Sequence, residues 1–334
     1  MKSFTKGVLK ALSSTNGQSG LGFGCMGITA FYGKPMEDAN ALELLQSVYD
    51  AGCHHFDTAE VYQGEGKYNE SVLGEFFKKI PRDSYTVATK YWPNDKDPNV
   101  YSYESVKKSL TASLERLQLD YVDLYYAHRV LTLEGGKTFA ETAKKLQAEG
   151  LIKEIGLSEV SGKWLKQINA VHSIDAVQQE WSLLTRNLED ELVPVCKELG
   201  IVIVAYSPLA RNMLAKKNLA PPDDWRASQP RYNAENLEKN NRIVDTIQAL
   251  TTKYDNCSPA QLSLAWLFHK ANALGVAVVP IPGSTKIKNV QDNLGSVKIS
   301  ISDADSAVLE SLSTQVAGER GNEWYVSMGI ESQT

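Results

Sequence analysis

Short apolar segments rich in β-branched and aromatic residues alternate along the chain with longer amphipathic segments. The apolar segments have the length and composition of buried strands. Strands are therefore predicted at 20–26, 54–57, 85–90, 122–127, 152–158, 176–180, 202–206 and 276–281. In the intervening segments, apolar residues recur at three- and four-residue spacing, as on the buried face of a helix. Helices are predicted at 38–51, 102–117, 139–149, 161–170, 189–199, 236–254, 259–270 and 303–312.

The number of strand–helix units predicts the fold class. Parallel strands need long crossover connections, and eight such units in 334 residues favour a closed α/β barrel, the (β/α)8 TIM barrel, over a doubly wound sheet. We expect a single domain over 1–334, with a C-terminal helix and tail at about 302–334. The segment 207–234 is rich in Pro, Asn, Asp and Arg, so it is predicted to be a long loop over the mouth of the barrel.

Composition and charge narrow the classes of function. The formal net charge of −5 gives no broad electrostatic reason to bind a nucleic acid or an anionic membrane, so neither is a predicted partner. No apolar run approaches the ~20 residues that a membrane helix needs. The four cysteines include no C-x-x-C pair, which favours a reduced, cytoplasmic protein. Residues 1–20 contain three lysines and no acid, so a transit peptide is the less favoured alternative.

Three motifs resemble known sites but lack the context that their chemistry requires. Gly22, Gly24 and Gly27 have the spacing of a nucleotide-binding fingerprint, but polar residues precede them and no amphipathic helix begins after them. Tight packing at the first strand is the favoured interpretation. The segment 136–138 resembles the end of a phosphate loop without its first glycine. The histidines at 54–55 are adjacent on a strand and point to opposite faces, so no metal site is predicted.

Four side chains that can hold or move a proton lie at or just past the ends of three consecutive predicted strands. Asp57 and Tyr62 follow the second strand, Lys90 ends the third, and His128 follows the fourth. Because the carboxyl ends of parallel strands share one mouth, we expect these groups to meet. A structural explanation, such as an ion pair between Asp57 and Lys90, serves each residue taken alone. Their joint placement favours catalysis.

These residues belong to a series of motifs that resembles the aldo-keto reductase family over nearly the whole chain. The motifs are FDTA at 56–59 with Tyr62, NE at 69–70, LG at 73–74, AHR at 127–129, IGLS at 155–158, VQ at 177–178 with Glu180, AYSPL at 205–209 and IPGS at 281–284. The segments 156–161 and 230–236 are most similar to the branch that contains pyridoxal reductases and perakine-reductase-like enzymes. The resemblance implies reduction of an aldehyde or ketone, a small-molecule carbonyl substrate, with NADPH.

The resemblance also implies a role for each of the four side chains. Tyr62 would donate a proton to the carbonyl oxygen, which gains negative charge as hydride reaches the carbon. The Lys90 ammonium is expected to lower the pKa of the phenol, with Asp57 holding Lys90 charged and oriented. His128 would position the substrate oxygen or relay a proton. Candidates for an aromatic wall of the substrate pocket, with simple packing as the alternative, are Phe31, Tyr32, Trp92 and Trp225.

The cofactor residues are implied in the same way. Tyr206 would stack on the nicotinamide, while Ser158 and Gln178 would hydrogen-bond to its carboxamide. The residues implied to cover the pyrophosphate are Ser207, Pro208, Leu209 and Arg211. A phosphate would bind the amides at the start of a helix that opens at Gly283, Ser284, Thr285 and Lys286. The charges of Lys286 and Lys288 favour NADPH over NADH, unless they are only a solvated helix face. Positions that contact adenine in the family correspond to Asp292 and Asn293.

The chain departs from the family pattern without losing any of the four proton-handling residues. Gln63 stands where Gly is usual, Glu159 replaces Asn, Val130-Leu131 replaces Val-Asp, and Asn289 replaces an Arg that holds the 2′-phosphate. Two alternative functions stay open at this point. One is a nucleotide-sensing regulatory subunit resembling the potassium-channel β subunits, and the other is a barrel enzyme that uses 283–286 for a phosphorylated substrate. Neither the physiological carbonyl, the reaction direction nor the oligomeric state is predicted.

Overall fold

The computed structural model describes residues 7, 20–94, 96–216 and 218–333. The possible transit peptide therefore lies almost wholly outside the described residues. Eight parallel strands form one sheet in sequence order. They are β1 (Phe23–Gly24), β2 (His55–Asp57), β3 (Thr86–Tyr91), β4 (Val122–Ala127), β5 (Ile152–Ser158), β6 (Ala176–Glu180), β7 (Val202–Tyr206) and β8 (Val278–Pro280). Outside this sheet, Gln63–Gly64 and Lys67–Tyr68 pair as a short antiparallel hairpin.

The two ends of the sheet contact each other. The backbone N–H of Gly22 donates to the carbonyl oxygen of Pro280 at 2.9 Å. A Cβ atom at Gly24 would lie 2.7 Å from the carbonyl oxygen of Ile281, so only glycine allows this approach. The residues that follow, Met26–Ile28, form a 3₁₀ turn rather than the amphipathic helix of a nucleotide fingerprint. The glycine motif at 22–27 thus serves packing, as expected.

Helices connect successive strands, and the last three follow β8. They are α1 (Asp38–Asp50), α2 (Asn69–Phe77), α3 (Tyr103–Leu117), α4 (Leu133–Ala148), α5 (Gly162–Val171), α6 (Leu192–Leu199), α7 (Ala234–Thr251), α8 (Pro259–Leu274), α9 (Ile287–Gly295), α10 (Asp303–Ser311) and α11 (Glu323–Ser327). Helix α3 shows how the sequence sets the start, the end and the buried face of a helix. Its N-cap Ser102 accepts a hydrogen bond from the N–H of Ser105, and it ends at Gln118 in the left-handed conformation. The residues that α3 buries, at three- and four-residue spacing, are Val106, Leu110, Ser113, Leu114 and Leu117.

Two apolar clusters pack against opposite faces of the strands. Along β4, Tyr125 and Ala127 belong to the larger cluster, which the helices share, and Leu124 and Tyr126 belong to the smaller one. This alternation is the period-two geometry of a strand. The smaller cluster consists of Ala88, Leu124, Tyr126, Ala176, Val202, Val204, Val279 and Ile281. It gathers residues from five of the eight strands or their ends, so the sheet curls around it.

Most predicted boundaries agree with the structure, and the differences have physical causes. The strand predictions at 122–127, 152–158, 176–180 and 202–206 are confirmed residue for residue. The prediction for α4 began six residues late because a glycine pair interrupts the apolar pattern. A Cβ atom at Gly136 would lie 2.4 Å from Cδ1 of Ile168, so this glycine allows α4 to approach α5. The hairpin, α2 and α11 were not predicted. The helix expected to open at Gly283 begins at Ile287.

The long segment after β7 is irregular, as predicted. It contains two short 3₁₀ helices, Trp225–Ser228 and Pro230–Tyr232, before α7 begins at Ala234. The predicted C-terminal helix is confirmed as α10, and the tail continues through α11 to a last 3₁₀ turn at Ile330–Ser332. None of the helices among the described residues is both long and apolar enough to cross a membrane.

Candidate active site

Asp57 and Lys90 form a buried ion pair between neighbouring strands. The parallel register pairs Asp57 with Ala88, and Lys90, two residues further along β3, points to the same face. The Lys90 ammonium donates to Oδ1 of Asp57 and, at 2.7 Å, to the carbonyl oxygen of Thr58. Oδ2 of Asp57 accepts from Nε2 of Gln178 at 2.8 Å. Burial disfavours the ammonium, but Asp57 and Tyr62 outweigh burial and raise the pKa of Lys90, so this side chain stays charged.

Tyr62 packs against this ion pair. The Lys90 Nζ lies 5.1 Å from the centre of the Tyr62 ring, and only 8% of Tyr62 is exposed. Burial raises the pKa of Tyr62 above its ordinary value, while the positive charges of Lys90 and Arg129 act to lower it. The contribution of Lys90 has the expected sign, but the net shift is upward because desolvation dominates. The phenol is therefore protonated near neutral pH and can donate its proton.

His128 lies beside Tyr62 with a neutral ring. Its backbone N–H donates to the carbonyl oxygen of Tyr91 at 2.8 Å, and its ring centre lies 5.7 Å from that of Tyr62. Burial, followed by the charges of Arg129 and Lys90, holds the pKa of His128 well below its ordinary value. Nδ1 has no hydrogen-bond partner among the described residues. A neutral imidazole can donate one hydrogen bond to a carbonyl oxygen without adding a second charge.

The loop that carries Tyr62 is held by polar groups to which sequence analysis assigned no role. Thr58 donates to Oδ1 of Asn69 at 2.7 Å, and Asn69 donates to the carbonyl oxygen of Cys25 at 2.9 Å. Glu70 accepts from Thr89 at 2.5 Å, so the next strand is tied to the same point. Asn69 and Glu70 are the first residues of α2 and are buried. Their side chains therefore join this helix to the segments that follow β1 and β2 and to β3. The NE motif was the signal that pointed to them.

Aromatic rings surround the exposed side of Tyr62. Phe31 lies 6.4 Å from Tyr62 and 6.0 Å from Trp225, and Tyr32 lies 6.2 Å from Trp225, all measured between ring centres. On the other side, Trp92 meets His128 at 5.0 Å. The four rings predicted from the sequence as a substrate wall thus lie at the same mouth. Phe31 is 49% exposed, so a ligand can reach this surface.

The residues implied to bind the nicotinamide lie on three consecutive strands, with Gln178 in the middle of β6. Ser158 ends β5, is buried and pairs with Gln178 of β6. Gln178 donates to Asp57, so it connects these positions with the Asp57–Lys90 pair. Tyr206 ends β7, and its hydroxyl donates to Oε1 of Glu159 at 2.5 Å. This hydrogen bond at the hydroxyl fixes the position of the Tyr206 ring.

The backbone is strained where the pyrophosphate loop is predicted. Pro208 and Leu209 lie in a turn in which four non-glycine residues are left-handed: Ser207, Ala210, Arg211 and Asn212. Each such residue costs on the order of 1 kcal/mol, and strain of this kind concentrates at functional sites. The Arg211 guanidinium donates to Glu180 at 2.9 Å, so its charge is offset inside the protein.

The loop after β8 brings exposed cations and a close backbone approach together. A Cβ atom at Gly283 would lie 2.4 Å from the carbonyl oxygen of Gly24, so this loop runs directly against β1. Ser284 accepts a hydrogen bond from the backbone N–H of Lys286 at 3.1 Å, just before α9. The exposed residues here include Gly283, Thr285, Lys286 and Lys288. Further along α9, Asn293 is buried and Asp292 accepts from Ser258 at 2.5 Å.

The tail that was predicted from the sequence lies over the mouth, a position that the sequence did not indicate. Arg320 donates to Oε2 of Glu159 at 2.6 Å, to Glu180 at 3.3 Å and to Glu331 at 2.7 Å. Nε2 of Gln333 donates to the carbonyl oxygen of Glu159 at 2.8 Å. Glu159 appeared in the sequence only as a departure from the family pattern, and nothing in the sequence near Arg320 identifies its partners.

The remaining polar residues singled out in the sequence have structural partners. His54 is exposed and contacts the carbonyl oxygen of Tyr49 at 3.1 Å, while His55 is buried and contacts Thr86 at 2.7 Å. Within 20–94, 96–216 and 218–333, no group of three or more His, Cys, Asp or Glu side chains has the arrangement of a metal site. All four cysteines are free thiols.

Comparison with known proteins identifies the class of enzyme. Residues 20–314 match the aldo/keto reductase family. Probable aldo-keto reductase 1 of Glycine max is 41% identical over 296 residues, which cover 86% of this chain and 83% of that protein. The chain therefore belongs to the aldo/keto reductase family, and the enzyme class expected from the motifs is confirmed.

Solved structures show the same fold. A thermostable aldo-keto reductase in complex with epalrestat is 26% identical and has a TM-score of 0.70, with coverage of 88% of this chain and 94% of that one. An aldo-keto reductase from Klebsiella pneumoniae in complex with NADPH is 23% identical and has a TM-score of 0.67, with coverage of 88% and 91%. The eight-stranded parallel sheet is thus an aldo-keto reductase fold.

Proposed function

We propose that the protein reduces an aldehyde or ketone to an alcohol with NADPH, and that Tyr62 is the general acid. The observation that carries this proposal is the buried row of Asp57, Lys90 and Tyr62, with the neutral ring of His128 beside it. In this arrangement one protonated phenol lies next to a permanent positive charge. A carbonyl oxygen that gains negative charge needs both.

Each of the four side chains has a defined part in this reaction. Asp57 keeps Lys90 charged and fixes its position. As Tyr62 gives its proton to the substrate oxygen, the Lys90 ammonium stabilises the phenolate that remains. His128 donates a hydrogen bond to the same oxygen and so orients the carbonyl. Bound NADPH supplies the hydride to the carbonyl carbon, and Tyr62 then recovers a proton from solvent.

The residues at the strand ends fit a nicotinamide dinucleotide. Tyr206 presents a fixed aromatic ring, with Ser158 at the end of β5 and Gln178 within β6. We assign the phosphates to the strained turn at 207–212 and to the loop at 283–286, where exposed cations adjoin backbone amides. The Klebsiella pneumoniae relative is a complex with NADPH, which supports the same cofactor here. Lys286 and Lys288 supply positive charge for its additional phosphate.

The proposal extends to the closure of the sheet, the number of domains and the location of the protein. We infer that the curled sheet closes into a (β/α)8 barrel, because the N–H of Gly22 bonds to Pro280 across the first and last strands. One barrel would then form a single domain over 1–334. The free cysteines suit a reducing compartment, and we place the protein in the cytoplasm.

The aromatic wall suggests the substrate class. Phe31, Trp92 and Trp225 offer flat apolar surfaces beside Tyr62, which suit an aromatic or pyridoxal-like carbonyl. The segments 156–161 and 230–236 resemble the pyridoxal reductase and perakine-reductase-like branch, and this resemblance supports the same substrates.

The test is NADPH oxidation over a panel of pyridoxal, aromatic aldehydes and ketones. Tyr62→Phe is expected to lower turnover by about 100-fold or more while retaining NADPH binding, because it removes only the proton donor. Tyr103→Phe, at a tyrosine hydroxyl that bonds to Glu149 on the surface, is the control and should keep wild-type turnover. Unchanged turnover in Tyr62→Phe would disprove the role of this acid. Tight NADPH binding with no turnover of any carbonyl by the wild type would instead favour a nucleotide-sensing subunit.

A further inference from the structure

Arg129 is a buried cation beside the proposed site whose hydrogen-bonding capacity is largely unused. Only 9% of the residue is exposed. Nη1 donates to the carbonyl oxygen of its neighbour His128 at 2.6 Å. Nε is buried and donates to no partner among the described residues. A buried guanidinium without partners is costly, so an unused donor of this kind points to a ligand.

The other buried arginines at the mouth show what a compensated guanidinium looks like here. Arg211 and Arg320 have carboxylate oxygens at 2.9 Å and 2.6 Å, and Arg231 has one at 4.0 Å. In the part of the chain that the structure describes, Arg129 has no carboxylate within the same 4.0 Å limit. Leu131, two residues further on, is an apolar residue where the family pattern has Asp. The positive charge of Arg129 helps to lower the pKa of Glu159 from a distance, but no carboxylate contacts the guanidinium directly. The guanidinium can therefore contact an anion.

The position of Arg129 favours the substrate over the cofactor phosphates. It follows β4, next to His128, whereas the turns proposed to hold the phosphates follow β7 and β8. In the strand order, β4 is three strands from β7 and four from β8. The guanidinium carbon lies 5.8 Å from the ring centres of Trp92 and Tyr325. Trp92 also lies 5.0 Å from the ring of His128, which places Arg129 beside the group proposed to orient the carbonyl. Tyr325 lies between Arg129 and Arg211, whose guanidinium carbon is 4.9 Å from the same ring centre.

We propose that Arg129 binds an anionic group of the substrate, so that the preferred carbonyl compounds carry a carboxylate or a phosphate. This inference rests on the reductase function proposed above and specifies its substrate class. Because Nη1 bonds to the backbone of His128, the edge formed by Nε and Nη2 is the one that faces the anion. That edge matches the two oxygens of a carboxylate or phosphate. The bond to His128 also fixes the distance between the anion and the group that orients the carbonyl.

The experiment compares pairs of substrates in which one member carries an anionic group and the other is neutral. One pair is 4-carboxybenzaldehyde and its neutral ester, methyl 4-formylbenzoate, and the other is glyceraldehyde 3-phosphate and glyceraldehyde. For the wild type, kcat/KM is expected to favour the anionic member of at least one pair by about tenfold or more, as expected for a charge-assisted hydrogen bond. Which pair responds distinguishes a carboxylate site from a phosphate site. The ratio within a pair cancels any general loss of activity in a variant.

Variants at Arg129 then test the residue itself. Arg129→Met should bring the ratio close to one, and Arg129→Lys should keep part of it because the charge remains without the fork. Arg242→Met, which removes an exposed guanidinium paired with Glu238, is the matched control and should keep the wild-type ratio. If Arg129→Met does not fold, the ratios of kcat/KM measured for the wild type and Arg129→Lys still test whether Arg129 binds the anion. Added salt should then lower the wild-type ratio without changing kcat/KM for the neutral ester.

A binding measurement separates this inference from the reductase proposal. Terephthalate, which has two carboxylates and no carbonyl to reduce, should raise the melting temperature of the NADPH-loaded wild type but not of Arg129→Met or Arg129→Lys to the same extent. A wild-type ratio near one for both pairs, or an equal ratio in Arg129→Met, would overturn the assignment of Arg129. If no carbonyl is reduced, the reductase proposal fails, and the terephthalate shift alone decides whether Arg129 holds an anion.

Discussion

Tyr62 and His128 are neighbouring proton donors whose pKa values shift in opposite directions. Burial raises the pKa of Tyr62 and lowers that of His128, because in each case desolvation disfavours the charged form. The cations Lys90 and Arg129 oppose burial at Tyr62 and reinforce it at His128. As a result both side chains are neutral near physiological pH, and both carry a proton.

The pH dependence of reduction follows from these two directions. An acid works while it keeps its proton, and Tyr62 loses its proton only above its raised pKa, so kcat/KM should fall only at strongly alkaline pH. Because the pKa of His128 is lowered, its ring is already neutral at the pH where a free histidine titrates. No bend in kcat/KM is therefore expected near pH ~6.5. Steady-state rates from about pH 6 to 10, with an aldehyde that does not titrate, test this expectation. His128→Gln should be slower but keep the same profile, and a bend near pH ~6.5 in the wild type alone would contradict it.

At the scale of elements, one ion pair joins three strands. Asp57 ends β2, Lys90 lies on β3, and Gln178 reaches Asp57 from β6. The side chains are nearly inaccessible to solvent, so the pair replaces lost hydration by direct contacts. Removing only one partner would leave the other charge buried without compensation.

Asp57→Asn is therefore expected to lower stability as well as activity. It should reduce the free energy of unfolding by about 3 kcal/mol, because the Lys90 ammonium loses its counter-charge in a dry site. Denaturant unfolding followed by far-UV circular dichroism measures this change. Asp38→Asn removes an exposed partner of Lys67 and should cost less than about 1 kcal/mol. Equal losses in the two variants would show that burial does not amplify the Asp57–Lys90 contact.

The same scale shows what the sequence could predict. β4 to β7 were located residue for residue. Among them β7 is the continuous apolar run expected of a buried parallel strand, whereas β5 and β6 also carry charged or amide side chains. Helix α2 was missed because it buries Asn69 and Glu70 at its start, where an apolar pattern is expected. The members of the site were recognised from motifs at the strand ends. Their net electrostatics were not, because the pKa of Tyr62 depends on how deeply the folded chain buries it.

At the scale of the whole molecule, the tail completes the mouth. Arg320 joins Glu159 and Glu180, which lie just after β5 and at the end of β6, and Tyr325 contacts Tyr206 through its hydroxyl at 2.5 Å. Gln333 accepts from the backbone N–H of Ser161 at 2.7 Å, next to the first residue of α5. These contacts join distant parts of the sequence, so no local pattern could have predicted them.

Arg320→Met is expected to release the tail and destabilise the protein. The carboxylates of Glu159 and Glu180 would lose a buried counter-charge, so the free energy of unfolding should fall by about 3 kcal/mol or more. Limited proteolysis with mass spectrometry should show faster cleavage beyond residue 320 under native conditions. Arg242→Met, on the exposed face of α7, should show neither change. Equal protection of the tail in both variants would mean that Arg320 does not hold it.

The position of the tail has a consequence for the order of folding. The bond from Arg320 to Glu159 closes a loop of 161 positions, and that from Ser161 to Gln333 closes one of 172. Neighbouring strands such as β2 and β3 pair over only 31 positions, as His55 does with Thr86. Long loops lose more chain entropy on closing, and contacts between distant residues form more slowly. We therefore expect neighbouring strands to pair before the tail docks. A chain that is still folding should then bring Asp57, Tyr62, Lys90 and His128 together before the tail completes the substrate side.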